Sequence, residues 1–394
     1  MTPVPESESH PLWMENLRRY DTLAALYRSP FFADWGERIE RFLSTPQVVP
    51  LPGAVPRLGS FLRVVSWNVE KGKRFEGVAR LFESDGILRW ADLVLLNEAD
   101  HGMNRSGNRH VALDLARRLG MHMVFAPAHF ELTKGVDEDL ALPGENRDSL
   151  QGNAILSRYP IEEAHVVPLP VSFEPYEFHE KRYGRRHCLW ARLRLRNGFL
   201  WAGTTHFELR NTPADRAAAM RHILEHLPGG GDDACLLGGD LNTNTFGRGT
   251  AGRTLKAAAR LLLLPPSRVK RQLLHPDSGR EPLFAELRRA GFEWKGFSGE
   301  GETARAPLGS LEEAHFFPGP LGRRLLRRLD AYEGYLGLKL DWLLARNIRG
   351  LCAGQARDGA AGVEALDPGC REAPHTGPAR LSDHLPIHAD LDLA

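Results

Sequence analysis

Almost every short apolar run in this chain stops at an amide, a carboxylate or an imidazole. Asn68 closes RVVSWN and Glu98 closes LVLLNE; Asn153 opens NAILS; His206 closes WAGTTH; Asp240 and Asn242 close CLLGGDLN; Asp341 sits in KLDWLL; Asp383 and His384 precede LPIHADL. Strand ends that converge on one edge of a sheet are where clefts form and sites are built. These residue types are the ones that hydrolysis of a phosphoester calls for. Glu98 and Asp383 are hard oxygen ligands of the kind that hold Mg²⁺ or Mn²⁺, and such an ion neutralises charge on a phosphate. The amides of Asn68, Asn153 and Asn242 do not titrate, so they can orient a ligand, a phosphate oxygen or a water without changing charge. Asp240 and Asn242 lie two apart on an extended segment and project from one face, a pair able to hold and deprotonate a water. A histidine beside a carboxylate is oriented and more easily protonated. His384 with Asp341 can therefore donate to a phosphoryl oxygen as negative charge builds there.

Placing these groups together requires short strands that share an edge. From Phe61 onward the runs FLRVVSWNV, ADLVLLNEA, NAILS, HCLWARLRL, FLWAGTTHF, ACLLGGDL, KLDWLLA and PIHADLDL read as strands, and residues 78–90, 111–119, 213–227 and 282–290 read as helices. HCLWARLRL and FLWAGTTHF are joined across Asn197 and Gly198, too tightly for a parallel crossover. The pattern predicts a mixed, largely antiparallel pair of sheets covered by helices. Upstream, residues 12–28 and 31–43 carry helical spacing, and Pro46, Pro50, Pro52, Gly53 and Pro56 mark a linker. Residues 1–60 are thus expected to form a helical extension and linker, and 61–394 the main domain. The Arg- and Gly-rich stretch from 245 to 335 separates two strand motifs and predicts a long insertion with helices of its own.

The 394 residues include 51 Lys plus Arg against 50 Asp plus Glu, a formal net charge of +1. So balanced a chain has little overall field for a polyanion, and any anion binding must be local. With 42% hydrophobic and 26% charged residues, wholesale disorder and collagen-like repetition are excluded. Cys188, Cys235, Cys352 and Cys370 contain no CxxC pair, so neither a zinc knuckle nor a disulfide framework is signalled. The first residues lack the basic and apolar regions of a leader, and no apolar run approaches the roughly 18 to 20 residues that cross a bilayer. The expectation is a soluble, cytoplasmic protein.

The motifs WNVEKGK, LLNEAD, GNAILSRYPI, TTHFE, GGDLNTNT, LDWLL and SDHLPIHADL, in this order, resemble the endonuclease/exonuclease/phosphatase family, the DNase I-like superfamily, from about Phe61 to the C-terminus. The resemblance implies an α+β fold, a four-layered αββα sandwich of two mixed, mainly antiparallel sheets with the site at one end of both. It also implies roles. Asn68 and Glu98 would stand at a divalent metal, Mg²⁺ or Mn²⁺, with Asp383 assisting there. Asn153 and Asn242 would lie near the scissile phosphate, His206 would contact it, Asp240 would activate water, and Asp341 would orient His384. Family members carry a mid-chain Arg or Tyr that reaches the phosphate; the candidates here are Arg182, Tyr183, Arg185 and Arg186, with Arg186 placed in the phosphate set. Residues 1–60 and the long spacing between Asn242 and Asp341 depart from compact members.

The implied activity is metal-dependent hydrolysis of a phosphodiester by in-line attack of an activated water, with nucleic acid cut in endo- or exonuclease fashion as the first substrate class. A phospholipid or sphingomyelin phosphodiesterase and an inositol or nucleotide phosphatase share the same core. A lipid enzyme would need an apolar hairpin, and Phe173, Tyr176 and Phe178 offer one, interrupted by Glu174, Glu177 and Glu180. A catalytically silent binding module would be expected to lack Glu98, Asp240 or His384, and all are present. Taken singly, Asn68 and Asn242 would pass for turn formers and His384 for a satisfied buried histidine; their ordered company argues otherwise.

Overall fold

The computed structural model describes residues 9–244, 263–307, 335–373 and 380–393, with isolated positions between 252 and 334. It opens with three helices, α1 (Ser9–Arg19), α2 (Leu23–Tyr27) and α3 (Pro30–Ser44). The helix predicted over 12–28 is broken in two because Thr22 Oγ1 accepts the Ala25 N–H at 3.1 Å and caps a new helix. Ser29 caps α3 in the same way, through the Phe32 N–H, ahead of Pro30 at the first helical position.

In chain order the strands are β1 (Gln47–Val49), β2 (Phe61–Asn68), β3 (Leu93–His101), β4 (His122–Glu131), β5 (Leu150–Ser157), β6 (Ile161–Pro168), β7 (Arg182–Gly184), β8 (His187–Leu195) and β9 (Gly198–His206). They continue as β10 (Ala234–Asp240), β11 (Ala304–Pro307), β12 (Tyr335–Leu338), β13 (Asp341–Arg346), β14 (Gly350–Leu351), β15 (Arg357–Asp358), β16 (Val363–Glu364), β17 (Gly369–Cys370) and β18 (Ile387–Asp392). Among them lie α4 (Phe75–Ser84), α5 (Val111–Leu119), α6 (Pro213–Glu225), α7 (Pro266–Leu274) and α8 (Leu283–Arg289). One sheet runs β1-β4-β5-β3-β2-β18-β14, with β7 beside β4 and β17 beside β18; the other runs β13-β10-β9-β8-β6. β2 with β3 and β9 with β10 are parallel, and the other pairings of the two sheets are antiparallel.

Side-chain alternation along these strands builds three apolar layers. Leu62, Val64, Leu95, Leu200, Leu236 and Leu343 meet between the sheets. Trp67 and Leu96 face the other way, against Phe75 and Phe82 of α4 and Leu115 of α5. Beyond the second sheet, Trp190 and Leu237 pack on Met220 and Ile223 of α6 and on Phe284 and Leu287 of α8. The result is the four-layered αββα sandwich. No helix among the described residues is long and apolar enough to cross a membrane.

Several local expectations are corrected. β4 and β6 are absent from the predicted runs: Pro127 interrupts β4 where its register against β5 shifts, and β6 is a half-exposed polar edge strand. The helix expected over 78–90 stops at Ser84, because Asp85 Oδ1 accepts the N–H groups of Ile87 and Leu88, each at 2.9 Å, and turns the chain. The predicted linker contains β1, which pairs with β4. The helices before it dock Trp13, Leu17, Ile39 and Leu43 on Phe130 and Leu132 and on Tyr176 and Tyr183. Of the expected insertion, α7, α8 and the β11–β12 pair are described; much of the rest of 245–335 lies outside the described residues.

A fully buried ion pair ties the C-terminal strand into the first sheet. Arg63 Nε and Nη2 donate to Asp390 Oδ1 and Oδ2 at 2.8 and 2.7 Å, Arg63 also donates to the Glu364 carbonyl at 3.1 Å, and both ion-pair side chains are 0% exposed. Breaking one partner of such a pair strands a charge. Arg63→Met should therefore lower unfolding stability by about 3–5 kcal/mol in urea titration, and Arg63→Met with Asp390→Leu should recover most of it. A single variant as stable as the parent would contradict this reading.

Candidate active site

The alternation that buries the inter-sheet core also delivers the polar groups. On β2, Asn68 follows Leu62 and Val64 by even steps; on β3, Asn97 follows Leu93 and Leu95; on β5, Asn153 shares the parity of Ile155. On the second sheet His206, Asp240 and Asp341 are register partners across β9, β10 and β13, so their side chains form a row. At one end of the sandwich the inner layer thus changes from leucine and valine to amide, carboxylate and imidazole.

Two residues reach this place through strained backbone. The β3–β5 register shifts between Leu96 and Ala99, and inside that bulge Glu98 takes φ = 54°. Asn242 takes φ = 48°, fixed by its N–H to Asp240 Oδ1 at 2.9 Å and its Nδ2 to the Phe207 carbonyl at 2.8 Å. Left-handed backbone at such residues costs on the order of 1–3 kcal/mol and persists where the surroundings enforce it. Gly239 is required for another reason: a Cβ there would lie 2.1 Å from the Thr205 carbonyl oxygen and 2.8 Å from Asn97 Oδ1.

Asp240 Oδ2 is the common point. Asn68 Nδ2 donates to it at 3.2 Å and to Glu98 Oε1 at 3.3 Å. His206 Nε2 lies 3.3 Å from it and His384 Nε2 3.6 Å. His384 Nδ1 bonds Asp341 Oδ2 at 2.8 Å, and Thr303 Oγ1 donates to the same oxygen at 2.7 Å while accepting the Asp341 N–H at 2.9 Å. Arg186 Nη1 donates to His206 Nδ1 at 3.0 Å. Because arginine can only donate there, the remaining imidazole proton sits on His206 Nε2, facing Asp240.

The charges follow from this packing. Burial raises the Asp240 carboxyl to about 7, with Asp341 and Glu98 adding to the rise and His384 and the Asn242 N–H opposing it. Burial would neutralise His384, but the carboxylates of Asp341 and Asp240 outweigh it and hold the imidazole protonated well above its ordinary value. His206 is driven well below its ordinary value by burial, helped by Arg186 and His384. Glu98 runs against its burial: Lys71, Arg186 and His384 hold it ionised below the usual carboxylate range. The site pairs a carboxylate that can take a proton near neutrality with an imidazolium that can give one, the division of labour that acid–base catalysis needs.

Glu98, Asn68 and their surroundings suit a hard divalent cation. Glu98 is an ionised carboxylate with a 20% exposed side chain, and it shares an acidic face with Glu70 and Asp383. Glu70 is pushed upward by burial and then by the charges of Asp383 and Glu98, against the pull of Arg380. The charge of Asp383 acts both on Glu70 and on His384, so it bears on both sides of the site. The ligand atoms of the Asp240–Asp341–His384 group lie within 4.8 Å of one another, and His384 Nδ1 within it is engaged by Asp341 Oδ2.

The structure brings Asn68, Glu98, His206, Asp240, Asn242, Asp341, His384 and Arg186 together. Asn153 stands one link away, accepting from Asn97 Nδ2 at 2.9 Å and donating to the His187 carbonyl at 3.3 Å. Sequence reasoning missed the supports. Asn97 also bonds Thr204 and the Asp240 N–H, and Ser382 Oγ bridges the Asn68 carbonyl and the His384 N–H. Asn97 had a usable signal, its parity with Leu93 and Leu95. Thr303 had none, being remote in sequence from Asp341.

The sequence profile of the Endonuclease/Exonuclease/phosphatase family matches residues 65–384. No curated protein matches the chain. Similar solved structures include an endonuclease/exonuclease/phosphatase from Beutenbergia cavernae, at 18% identity over 85% of this chain and 72% of that one with a TM-score of 0.47. A Bacteroides vulgatus protein of the same description is 12% identical over 85% and 100%, with a TM-score of 0.49. An AP endonuclease from Archaeoglobus fulgidus is 14% identical over 83% and 98%, with a TM-score of 0.45.

The electrostatics are open to direct measurement. In the intact protein the His384 ring should titrate above the free-histidine value of about 6.5 in an NMR pH series. In Asp341→Asn, with one carboxylate removed and burial unopposed by it, the ring should titrate at lower pH. Because the folded value is raised, protonated His384 adds stability below about pH 6.5 that is withdrawn as pH rises through the folded value. A His384 ring that titrates identically in both proteins would refute the assignment.

Proposed function

The chain belongs to the endonuclease/exonuclease/phosphatase family, whose members generally hydrolyse phosphoester bonds, and from that premise we propose that it is a divalent-metal-dependent phosphodiesterase acting on nucleic acid by in-line attack of water. The observation that carries this reading is the convergence on Asp240 Oδ2 of Asn68, His206 and His384 within 3.6 Å, beside an ionised Glu98. A binding module that had abandoned catalysis would have no need to keep a raised carboxylate and a protonated imidazole so close together.

In this reading Asp240 accepts the proton of the attacking water, and the amide of Asn242 orients that water or a phosphoryl oxygen. Arg186 and the Nε2 proton of neutral His206 bind phosphoryl oxygens, with Asn153 supporting the same region. Protonated His384, held by Asp341 and Thr303, donates to the phosphoryl oxygen on which charge develops. Glu98 and Asn68, with Asp383 at the edge, would hold Mg²⁺ or Mn²⁺, which when bound supplies charge neutralisation at the phosphate. Seclusion of these groups between the sheets strengthens each of these interactions relative to water.

With Mg²⁺ or Mn²⁺ the protein should hydrolyse bis-p-nitrophenyl phosphate and cut single-stranded or nicked DNA, and EDTA should stop both until the metal is restored. Asp240→Ala and His384→Ala should each lower kcat by about 10² or more. On the acid side kcat/KM should climb with pH as Asp240 ionises, with a midpoint at or below about 7. Undiminished hydrolysis in both variants would remove the assignment.

A further inference from the structure

The wall of the cleft beyond Arg186 takes no part in the chemistry above. Residues 169–173 and Pro175 ahead of β7 and Glu208 and Asn211 after β9 contribute to its lining, and Phe178 and Arg210 meet it through Phe173. The cleft is a shallow groove open to solvent, and Arg186 is part of its lining, so whatever lies in it is one side chain from His206. Its floor is basic. Arg182 and Arg186 face one acid, Glu208, at 3.7 and 3.6 Å, and half-exposed Arg185 stands beside them with Glu40 at 3.6 Å. In a chain of net charge +1, three guanidiniums on one floor are a local surplus.

The outer lip has a different chemistry. Phe173 and Phe178 meet edge to face, with centroids 5.4 Å apart, and the Arg210 guanidinium lies 5.3 and 4.4 Å from the two rings. Val171 is 56% exposed and Leu209 43% exposed beside them. A basic floor with an aromatic and cationic lip matches the two chemistries of a nucleotide, an anionic phosphate and a flat π face. A base can use that lip only when its own face is free, and in a duplex the stacked neighbours cover it. A lipid surface suits the lip less well. Glu174 and Glu177 are exposed on the same loop, Glu177 is tied there by the Leu23 N–H at 3.3 Å, and they interrupt the continuous apolar surface that insertion into a bilayer needs.

We propose that this cleft holds the nucleotide adjoining the scissile phosphate, with its phosphate on the Arg182–Arg185 floor and its unpaired base on the Phe173–Phe178–Arg210 lip, so that the protein selects single-stranded or frayed nucleic acid. The subsite rests on the phosphodiesterase reading for its place beside the scissile bond, but its binding is measured without turnover. Fluorescence anisotropy of the full chain in EDTA compares a labelled single strand of about ten nucleotides with the blunt duplex of the same sequence. The single strand should bind more tightly. Phe173→Ala and Phe178→Ala should each raise its Kd about tenfold, and Phe173→Tyr, which keeps the ring, should restore it. Arg185→Gln, at a half-exposed position, should weaken binding and reduce the salt slope by about one.

Equal affinity for strand and duplex, or a Kd that moves in neither alanine variant, overturns the proposal. Binding to phosphatidylcholine vesicles that the same alanine substitutions abolish overturns it in favour of a lipid surface. Hydrolysis of bis-p-nitrophenyl phosphate by the same preparations reports on the catalytic reading alone. A protein that hydrolyses it yet binds both nucleic acids alike keeps the activity and loses the subsite. A protein that binds with the stated losses yet hydrolyses no phosphodiester keeps the subsite and loses the activity.

Discussion

A carboxylate buried among other carboxylates can ionise only if the fold supplies donors from several directions, and Asp240 is in that position. Asn68 reaches it from the first sheet, His206 from the neighbouring strand, His384 from the loop before the last strand, and the Asn242 N–H from its own turn. Apart from that N–H, none of these donors is local enough to be placed by a helix or a hairpin alone. Two sheets must face each other with matched parity and end at the same level. The bulge at Glu98, the left-handed turn at Asn242 and the close approach at Gly239 serve that requirement. Their cost is carried by the inter-sheet core behind them, where Leu62, Val64, Leu95, Leu236 and Leu343 pack without solvent.

The polar residues that gather at the end of the sandwich were legible in the sequence because strands deliver side chains with a period of two, so a polar residue closing an apolar run marks the strand end. The αββα arrangement was legible as well, through the ordered motifs. What escaped was of two kinds. Pro127 and the acidic face of Ile161–Pro168 disguised real strands, because pairing with a neighbour overrode weak local preference. Thr303, Ser382 and Arg63 act through partners 38, 314 and 327 residues away in sequence, and no periodicity announces such a contact.

The first helices illustrate the same limit. Their amphipathic spacing was visible, but their seat was not. Tyr176 Oη donates to the Leu17 carbonyl at 2.6 Å, Tyr183 Oη to Glu40 Oε1 at 2.5 Å, and Lys181 Nζ to the Arg18 carbonyl at 3.1 Å. The arm of residues 171–186, which carries Arg182, Arg185 and Arg186, is therefore braced from behind by the N-terminal helices. Tyr176, which the sequence offered as an apolar contact, is 1% exposed and serves this brace.

The place of β18 has a consequence for how the protein folds. Residues 387–392 pair with β2, the first long strand of the sandwich, and lie inside the sheet between β2 and β14. The slot beside Phe61–Asn68 stays open until a strand far downstream arrives, and the Arg63 guanidinium lacks Asp390, 327 residues away, until then. His384, just ahead of this strand, arrives with it. Contacts that span so much of the sequence make this part of the sheet slow to form. Until β18 docks, Asn68 and Asp240 stand without the His384 imidazole, so closing the sheet and completing the polar group between the sheets are one event.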